Sequence, residues 1–316
     1  MLNPLSGAPA SVARIVSSAL LVALAGCGQA PSGTPPADPD LERLEVSSDG
    51  HPMAVWARRP EAPSQVVLLL HGRTWSSLPD FDLGTGGDPS LMRALARENI
   101  AAYALDARGY GETPRDASGW LEPDRMAQDV RNVLQWIGAR HPELGPPVVL
   151  GWSAGSAVAH LAAQRWPELT SGVALYGYFA DPDRAIPVTE SPQEPPRRPT
   201  TEEAARSDFI TPGTISEDDV AAFAQAALKA DPVRVDMRAM HQLNALVPDS
   251  LTVPVLILQG ELDPIAPTEA QEALFLNLGT AHKSWVVLPG CDHAAHLEVC
   301  QRRFRSTFVR FVQEVG

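Results

Sequence analysis

A pentapeptide, Gly151-Trp152-Ser153-Ala154-Gly155, directly follows a run of four apolar residues. This order predicts a strand that turns sharply into a helix, with Ser153 at the apex of the turn. Strand and helix nearly touch at such a turn, so only the smallest residues fit two positions before and after the serine. Gly151 and Gly155 meet that demand, and we expect the Ser153 hydroxyl to project above the edge of a sheet. Because G-x-S-x-G arises often by chance, its meaning depends on partner residues elsewhere in the chain.

Short apolar runs alternate with segments of helical periodicity along most of the chain. Strands are predicted at residues 41–46, 53–57, 66–70, 100–105, 148–150, 172–178, 253–259 and 284–288, and helices at 90–98, 124–140, 156–166, 269–278 and 297–315. The first two strands alternate apolar and polar residues, which is typical of an antiparallel pair, whereas the continuous run 66–70 suits a strand buried on both faces. The alternation predicts an α/β fold with a mostly parallel sheet flanked by helices.

Residues 179–250, named here the insertion segment, break this alternation. Five prolines between positions 186 and 200 exclude a regular element there. Ser216 and the three acidic residues after it are typical of a helix start, and Asp231-Pro232 marks the end of that helix. A second short helix is predicted at 235–246. The segment is predicted to be a helical cap over a binding site, and a surface excursion without a role in binding is the alternative.

The N-terminus resembles a bacterial lipoprotein signal peptide. Arg14 is the only charged residue before the sequence Leu24-Ala25-Gly26-Cys27, which ends an apolar run. The resemblance implies that residues 1–26 are removed, that Cys27 is lipidated, and that the protein is anchored in the cell envelope. Gly28 in place of an aspartate favours the outer membrane in a double-membraned bacterium. An ordinary secretory signal or a transmembrane anchor are the alternatives, although the apolar run falls short of the about 20 residues of a spanning helix.

Residues 27–40, rich in proline and small residues, are predicted to form a disordered tether. The formal charge of the chain is −13, and removal of Arg14 with the signal peptide changes it to −14. An acidic balance of this size argues against a nucleic-acid partner. It also argues against general attraction to anionic lipid, so the membrane is predicted as a partner only through the lipid on Cys27.

Three cysteines are present: Cys27, Cys291 and Cys300. With Cys27 lipidated, the other two are either joined in a disulfide or present as free thiols, and an oxidising compartment favours the disulfide. His293 and His296 form an H-x-x-H pattern, but no second cluster of ligands accompanies it, so no metal is predicted.

A serine hydroxyl becomes a good nucleophile only when a neighbouring imidazole accepts its proton, and a carboxylate must orient that imidazole. His293 is the predicted base, because it lies in a loop just after the last strand. His296 is the competing candidate, and we interpret it as a helix-capping or surface residue at the entry of the final helix.

The predicted orienting acid is Asp263, which lies in the loop after the penultimate strand. Asp181 and Asp183, after the strand ending near residue 178, are alternatives, and Glu261 is interpreted as structural. The chain order Ser153, Asp263, His293 follows from these assignments.

With these residues in place, the chain resembles an α/β-hydrolase from residue 41 to the C-terminus. The motifs that carry the resemblance are His71-Gly72, the segment 106–111, the 151–155 turn, and the loops of Asp263 and His293. The resemblance implies a core of residues 41–178 and 251–316, with the insertion segment as the cap.

The resemblance also implies an oxyanion hole made by the backbone N–H groups of Ala154 and Arg73. The side chain of Arg73 either points to solvent, binds a substrate carboxylate or braces the cap. Trp75 and Trp152 either line an acyl pocket or belong to the core.

His71, Asp106 and Arg108 are expected to brace loops rather than take part in catalysis. The activity that the resemblance implies is hydrolysis of a small-molecule carboxylic ester without a cofactor. Two alternatives remain open: a peptidase or amidase similar to the proline iminopeptidases, whose cap would offer acidic residues to a substrate amine, and an envelope lipoprotein that binds without catalysis. For the amidase, the acidic residues considered are Glu190, Glu194, Glu202 and Glu203. The sequence carries no prediction of oligomeric state.

Overall fold

The computed structural model describes residues 40–85, 88–181 and 184–316. The predicted signal peptide, Cys27 and all but the last residue of the predicted tether lie outside the described residues, as does Asp183. No helix in the described ranges is both long enough and apolar enough to cross a membrane.

The core is a twisted sheet of eight strands with helices on both faces. The strands of the sheet are β1 (Glu42–Ser48), β2 (His51–Arg58), β3 (Gln65–Leu70), β4 (Ile100–Leu105), β6 (Val148–Trp152), β7 (Gly172–Tyr176), β9 (Val255–Gly260) and β10 (Lys283–Leu288). Their order in space is β1-β2-β4-β3-β6-β7-β9-β10. Strand β2 runs antiparallel to β1 and β4, and the other neighbouring pairs are parallel. The predicted α/β fold is therefore confirmed, including its leading antiparallel pair.

Eight α-helices accompany the sheet in the described part of the chain. They are α1 (Ser77–Phe81), α2 (Leu91–Arg97), α3 (Pro123–Arg140), α4 (Ala154–Arg165), α5 (Glu202–Arg206), α6 (Glu217–Ala230), α7 (Thr268–Asn277) and α8 (Gln301–Val315). Apolar side chains of α3, α4 and α7 pack in one core layer. Those of α2 and α8 pack in the other, together with Phe81 of α1. The parallel strands end at the same sheet edge, so the loops that follow them meet there.

The insertion segment contains α5 and α6. A third apolar cluster joins it to the rest of the fold, in which Phe223 and Ala227 of α6 meet Trp75 and Leu297. Helix α6 begins at the predicted N-cap, because the Ser216 hydroxyl accepts a hydrogen bond from the Asp219 N–H. The proline-rich stretch before α5 contains no helix or strand, as predicted, apart from a single bridge between Pro199 and Val233.

The predicted second helix of the insertion segment, 235–246, is wrong. Strand β8 (Asp236–Met237) pairs instead with β5 (Trp120–Leu121), and a 3₁₀ helix, Met240–Ala245, follows. Ala239 has a left-handed backbone, with φ of 54°, which interrupts a helical path. The apolar spacing of this stretch therefore resembles that of an α-helix, but its backbone hydrogen bonds form with β5 and within the 3₁₀ helix.

The predicted final helix, 297–315, begins later, with α8 at Gln301. The Val299 N–H donates to the Thr214 carbonyl at 2.8 Å rather than to a helical partner. Helices α1 and α5 were not predicted, because five residues are too few for a periodic apolar pattern to appear.

A buried ion pair fixes the loop after β4 to α3. Arg108 donates through Nε and Nη2 to the two carboxylate oxygens of Asp129, each at 2.8 Å, and both side chains are buried. The same carboxylate accepts the Ser48 hydroxyl from the end of β1 at 2.6 Å. One carboxylate thus joins three elements, which agrees with the predicted bracing role of Arg108.

We predict that Asp129→Asn lowers the free energy of unfolding by about 3–5 kcal/mol, because it leaves the buried Arg108 charge with only the longer pair to Asp116, at 3.7 Å. Chemical denaturation measures this change. Asp49→Asn is the matched control, since Asp49 forms an exposed pair with Arg125, and that variant should change the unfolding free energy by less than about 1 kcal/mol. Equal effects of the two substitutions would contradict a special role for the buried pair.

Candidate active site

Ser153 lies on the turn between β6 and α4, as the sequence predicts. Its backbone is strained, with φ of 53° and ψ of −117°, and its N–H donates to the Tyr176 carbonyl at 2.8 Å. A side-chain carbon on Gly151 would collide with the Gly155 carbonyl, and one on Gly155 would collide with the Leu70 carbonyl. The two glycines are therefore required by the close approach of strand and helix, which presents the serine above the sheet edge.

His293 and Asp263 are brought together by the loops after β10 and β9. His293 Nδ1 lies 2.8 Å from Asp263 Oδ2, and both side chains are buried. The other oxygen, Asp263 Oδ1, accepts the Ile265 and Ala266 N–H groups at 2.8 and 3.2 Å. A carboxylate accepts and does not donate, so the proton sits on Nδ1 and leaves Nε2 able to accept a proton. Asp181, the described alternative to Asp263, is exposed.

The backbone of His293 is held by two aromatic donors. Its carbonyl accepts the Trp152 indole N–H at 2.8 Å and the Tyr176 hydroxyl at 2.6 Å. Trp152 directly precedes Ser153, so the residue beside the serine also positions the histidine. The indole is buried, which places Trp152 among core aromatics and not in an acyl pocket. Sequence patterns did not reveal this contact, because it joins residues 141 positions apart.

A disulfide between Cys291 and Cys300 closes the loop that carries His293. The Cys291 carbonyl accepts the Leu262 N–H at 2.9 Å, next to Asp263. On the other side, the Asp292 carboxylate accepts the Thr211 N–H of the insertion segment. The loop therefore connects the histidine, the carboxylate loop and the insertion segment.

Cys291 and Cys300 also form, with Glu298, a group whose potential ligand atoms lie within 4.8 Å of one another. The two sulfurs are joined to each other, so they are not available as the thiolates that a metal binds. Burial raises the pKa of Glu298 to about 8, and the Asp292 carboxylate acts in the same direction, whereas the Asp292 N–H that donates to Glu298 Oε2 opposes the shift. This carboxyl group is therefore largely neutral near pH 7.

The two predicted oxyanion donors belong to the first residue of α4 and to the loop after β3. Ala154 is the first residue of α4, so its N–H has no partner within the helix. The Arg73 N–H has no hydrogen-bond partner in the part of the chain that the structure describes. The Arg73 side chain is exposed, in agreement with the solvent-facing alternative. Asp80, which sequence reasoning missed, supports this loop by accepting the Gly72 N–H at 3.3 Å.

His71 and Asp106 brace the loops after β3 and β4, as predicted. His71 Nε2 accepts the Ala107 N–H at 3.1 Å, so Nδ1 carries the proton and donates to the Gly72 carbonyl at 2.8 Å. The Asp106 carboxylate accepts the Ser77 N–H at 3.0 Å and the Trp56 indole N–H at 2.9 Å. These contacts give both side chains a structural role in the two loops.

Glu261 has the structural contact expected of it, because its carboxylate accepts the Gly290 N–H at 2.8 Å. The interpretation of His296 as a capping or surface residue is wrong. His296 is 1% exposed and packs against the rings of Trp152, Tyr176 and Phe304. Burial lowers its pKa to about 3, so it is a neutral core residue. Its place before α8 gave no sign of this, because two of the three enclosing rings, those of Trp152 and Tyr176, come from distant strands.

Asp208 is a second acidic residue near the site that the sequence did not single out. It follows α5 in the insertion segment, and its Oδ2 is buried without a hydrogen-bond partner among the described residues. Burial raises the pKa of Asp208 to about 7, against the opposing effects of the Trp75 indole and of the charge on His293. Trp75 itself is buried against Phe223 and belongs to the core. A titratable carboxyl group thus lies within electrostatic reach of His293.

A mostly parallel sheet flanked by helices, with Ser153 on a strained strand-to-helix turn and a histidine–aspartate pair in the loops after the last two strands, defines an α/β-hydrolase of the serine hydrolase class. Residues 61–299 match the family model Hydrolase_4, described as serine aminopeptidase, S33, and the chain belongs to that family.

Two curated relatives and one solved structure illustrate the similarity. Over 131 residues the chain is 34% identical to protein phosphatase methylesterase 1 of Mus musculus, a match that covers 39% of this chain and 30% of that protein. The chain thus spans less than a third of the methylesterase. It is 24% identical over 257 residues to monoacylglycerol lipase of Mycolicibacterium smegmatis, covering 76% of this chain and 85% of the lipase.

The solved structure is a serine hydrolase involved in carbazole degradation. It superposes with a TM-score of 0.64 at 17% identity, over 87% of this chain and all of that one. Identity at this level shows the shared fold and no more.

We predict that the double variant Cys291→Ser/Cys300→Ser lowers the free energy of unfolding by about 2–3 kcal/mol, because the disulfide restricts the unfolded chain. The variant should also lose hydrolase activity, because the closed loop carries His293. Denaturation and activity assays measure the two effects. Wild-type protein kept with a thiol reductant should behave like the variant, and an unchanged stability in both would contradict a structural role for the bond.

Proposed function

We propose that the protein hydrolyses small-molecule carboxylic esters through an acyl-enzyme, with Ser153 as nucleophile, His293 as base and Asp263 as orienting acid. The observation that carries the proposal is the 2.8 Å contact between His293 Nδ1 and Asp263 Oδ2. It fixes the imidazole in the tautomer whose Nε2 can take the serine proton. Both residues follow carboxyl ends of strands, at the sheet edge where Ser153 stands.

The reaction proceeds by acyl transfer to Ser153. His293 Nε2 accepts the hydroxyl proton as Oγ attacks the ester carbonyl, and the Ala154 and Arg73 N–H groups donate to the resulting oxyanion. His293 then gives the proton to the leaving alcohol, and the ester bond breaks. Water, activated by the same imidazole, hydrolyses the acyl-enzyme and restores Ser153. The Asp263 carboxylate stabilises the imidazolium that forms in each half of the reaction.

The activities named for two relatives favour an ester substrate. One is a methylesterase and the other a monoacylglycerol lipase, and the lipase match extends over most of both chains. Two contacts of the insertion segment support its role as a cap. Thr211 donates a hydrogen bond to Asp292 in the His293 loop, and Asp208 interacts electrostatically with His293.

The proposed site of action is the cell envelope, reached through lipidation of Cys27. The support is the sequence of residues 14–27: one arginine, an apolar run, and a cysteine directly after small residues. The protein would then meet its substrate at a membrane surface.

We predict that Ser153→Ala lowers kcat for a short acyl ester at least about 10⁴-fold, because the nucleophile is lost. It should also abolish labelling by a fluorophosphonate probe, which reacts with activated serines. Ser64→Ala removes an exposed hydroxyl in the loop before β3 and is the matched control that should retain both signals. Ester hydrolysis by the Ser153 variant at the wild-type rate would refute the proposal.

A second candidate function is hydrolysis of aminoacyl esters or amides. The observation that favours it is Asp208, a partly buried carboxyl group of the insertion segment whose Oδ2 has no hydrogen-bond partner among the described residues and which interacts with His293. An ionised carboxylate in that place would attract the ammonium group of a substrate. The four glutamates considered from the sequence, Glu190, Glu194, Glu202 and Glu203, are all exposed.

We predict that kcat/KM for an aminoacyl ester rises relative to kcat/KM for the matching plain acyl ester as the pH increases through about 7, because Asp208 loses its proton there. The ratio of the two kcat/KM values should rise roughly tenfold or more up to about pH 8, where a substrate α-amine itself loses its proton. Asp208→Asn should give a ratio that does not rise with pH, whereas Asp218→Asn, an exposed substitution on α6, should behave as wild type. A flat ratio in the wild-type protein would leave the plain ester hydrolase as the function.

A further inference from the structure

A basic groove runs between α2 and α8, on the face of the sheet that carries these two helices. Its volume is about 480 Å³. Four arginines line it, with Glu98 as the one acidic lining residue: Arg97, Arg302, Arg305 and Arg310. Arg93 and Arg303 belong to the same two helices. This concentration of positive charge is unusual in a chain with a net charge of −13.

The positive charges of the groove are only partly compensated. The Asp88 carboxylate accepts from both Arg93 and Arg97. Arg302, Arg303 and Arg310 are exposed, and none of them has an ion-pair or hydrogen-bond partner for its side chain in the described ranges.

Arg305 is the most enclosed cation of the groove. It donates through Nη2 to the Asp88 carbonyl and to Gln301 Oε1, and its buried Nε has no partner among the described residues. Burial lowers the pKa of Arg305, and the positive charges of Arg97, Arg93 and Arg302 act in the same direction. The arginines therefore repel one another, and an anion between them would relieve that repulsion.

Guanidinium groups bind phosphate with two parallel hydrogen bonds, and they do so better than ammonium groups. Arg302 and Arg310 are eight positions apart on one helix, which corresponds to about 12 Å along its axis. That span exceeds one phosphate group, so the exposed arginines match several phosphates side by side. The acidic remainder of the surface disfavours a long polyanion that would wrap around the protein, but it does not oppose a flat surface that touches only this face.

We propose that the α2–α8 groove binds the phosphate headgroups of anionic phospholipids and holds this face against a membrane. Because the chain as a whole is acidic, the attraction is confined to this groove. It adds to the membrane attachment that a lipid anchor would supply. It is independent of the ester hydrolase function, because no groove residue belongs to the candidate active site.

The test uses the full chain with Cys27→Ser, so that no acyl chain can be attached. Its partition onto phosphatidylcholine vesicles is compared with that onto vesicles that also contain phosphatidylglycerol. We expect binding that depends on phosphatidylglycerol and decreases as salt is added. Arg302→Glu/Arg310→Glu should weaken this partition by at least roughly 30-fold, because each basic residue near an anionic surface contributes about 1 kcal/mol.

The matched control is Arg198→Glu/Arg234→Glu, which makes the same change in net charge at exposed arginines of the insertion segment. It should bind like the parent protein, and any contribution of residues 1–39 is common to all three proteins. Circular dichroism and thermal unfolding confirm that each variant is folded. Equal losses in both double variants would overturn the groove as the site.

Competition separates headgroups from other anions. Inorganic phosphate at low millimolar concentration should leave vesicle binding almost unchanged, because one ion replaces only one of several contacts. Full displacement by phosphate would overturn the headgroup proposal in favour of a single anion site. Stronger binding to a DNA oligonucleotide than to the anionic vesicles would overturn it as well.

Discussion

The hydrogen bond between Asp263 and His293 is the contact on which the rest of the site depends. It assigns the imidazole proton to Nδ1 and leaves Nε2 able to accept a proton, which the proposed activation of Ser153 requires. A bond of this kind is useful only if both loops stay in place. The structure holds the Asp263 carboxylate with two backbone N–H groups and the His293 carbonyl with the Trp152 and Tyr176 donors. Both aromatic donors come from the ends of β6 and β7, two neighbouring strands inside the sheet.

Several acidic groups in and around the site have a raised pKa because they are buried. Burial raises the pKa of Asp80, Asp208 and Glu298, and two of these groups contact loops of the site. Neutral carboxyl groups can take part in hydrogen bonds without adding negative charge beside Asp263. A second ionised carboxylate near His293 would compete with Asp263 for the imidazolium, and the raised pKa of Asp208 limits that competition below about pH 7.

The fold was predictable because its signals are local. Apolar runs predicted the strands, and the glycines around Ser153 predicted the turn. The positions of Asp263 and His293 directly after strands predicted the pair that the structure brings into contact. The contacts of His296, Asp208 and the His293 carbonyl were not predictable, because each joins elements far apart in sequence.

The prediction of a helix at residues 235–246 was wrong for a related reason. Their apolar spacing resembles a helix, but the Arg238 N–H donates to the Leu121 carbonyl of β5, so tertiary pairing determines the backbone.

The His293 loop is also the place where core and insertion segment are coupled. Asp292 accepts a hydrogen bond from Thr211, and Val299 donates one to Thr214. The Cys291–Cys300 disulfide encloses both residues in one loop. A shift of the insertion segment would therefore act on the backbone on either side of His293. The histidine itself is anchored from the opposite direction by Trp152 and Tyr176.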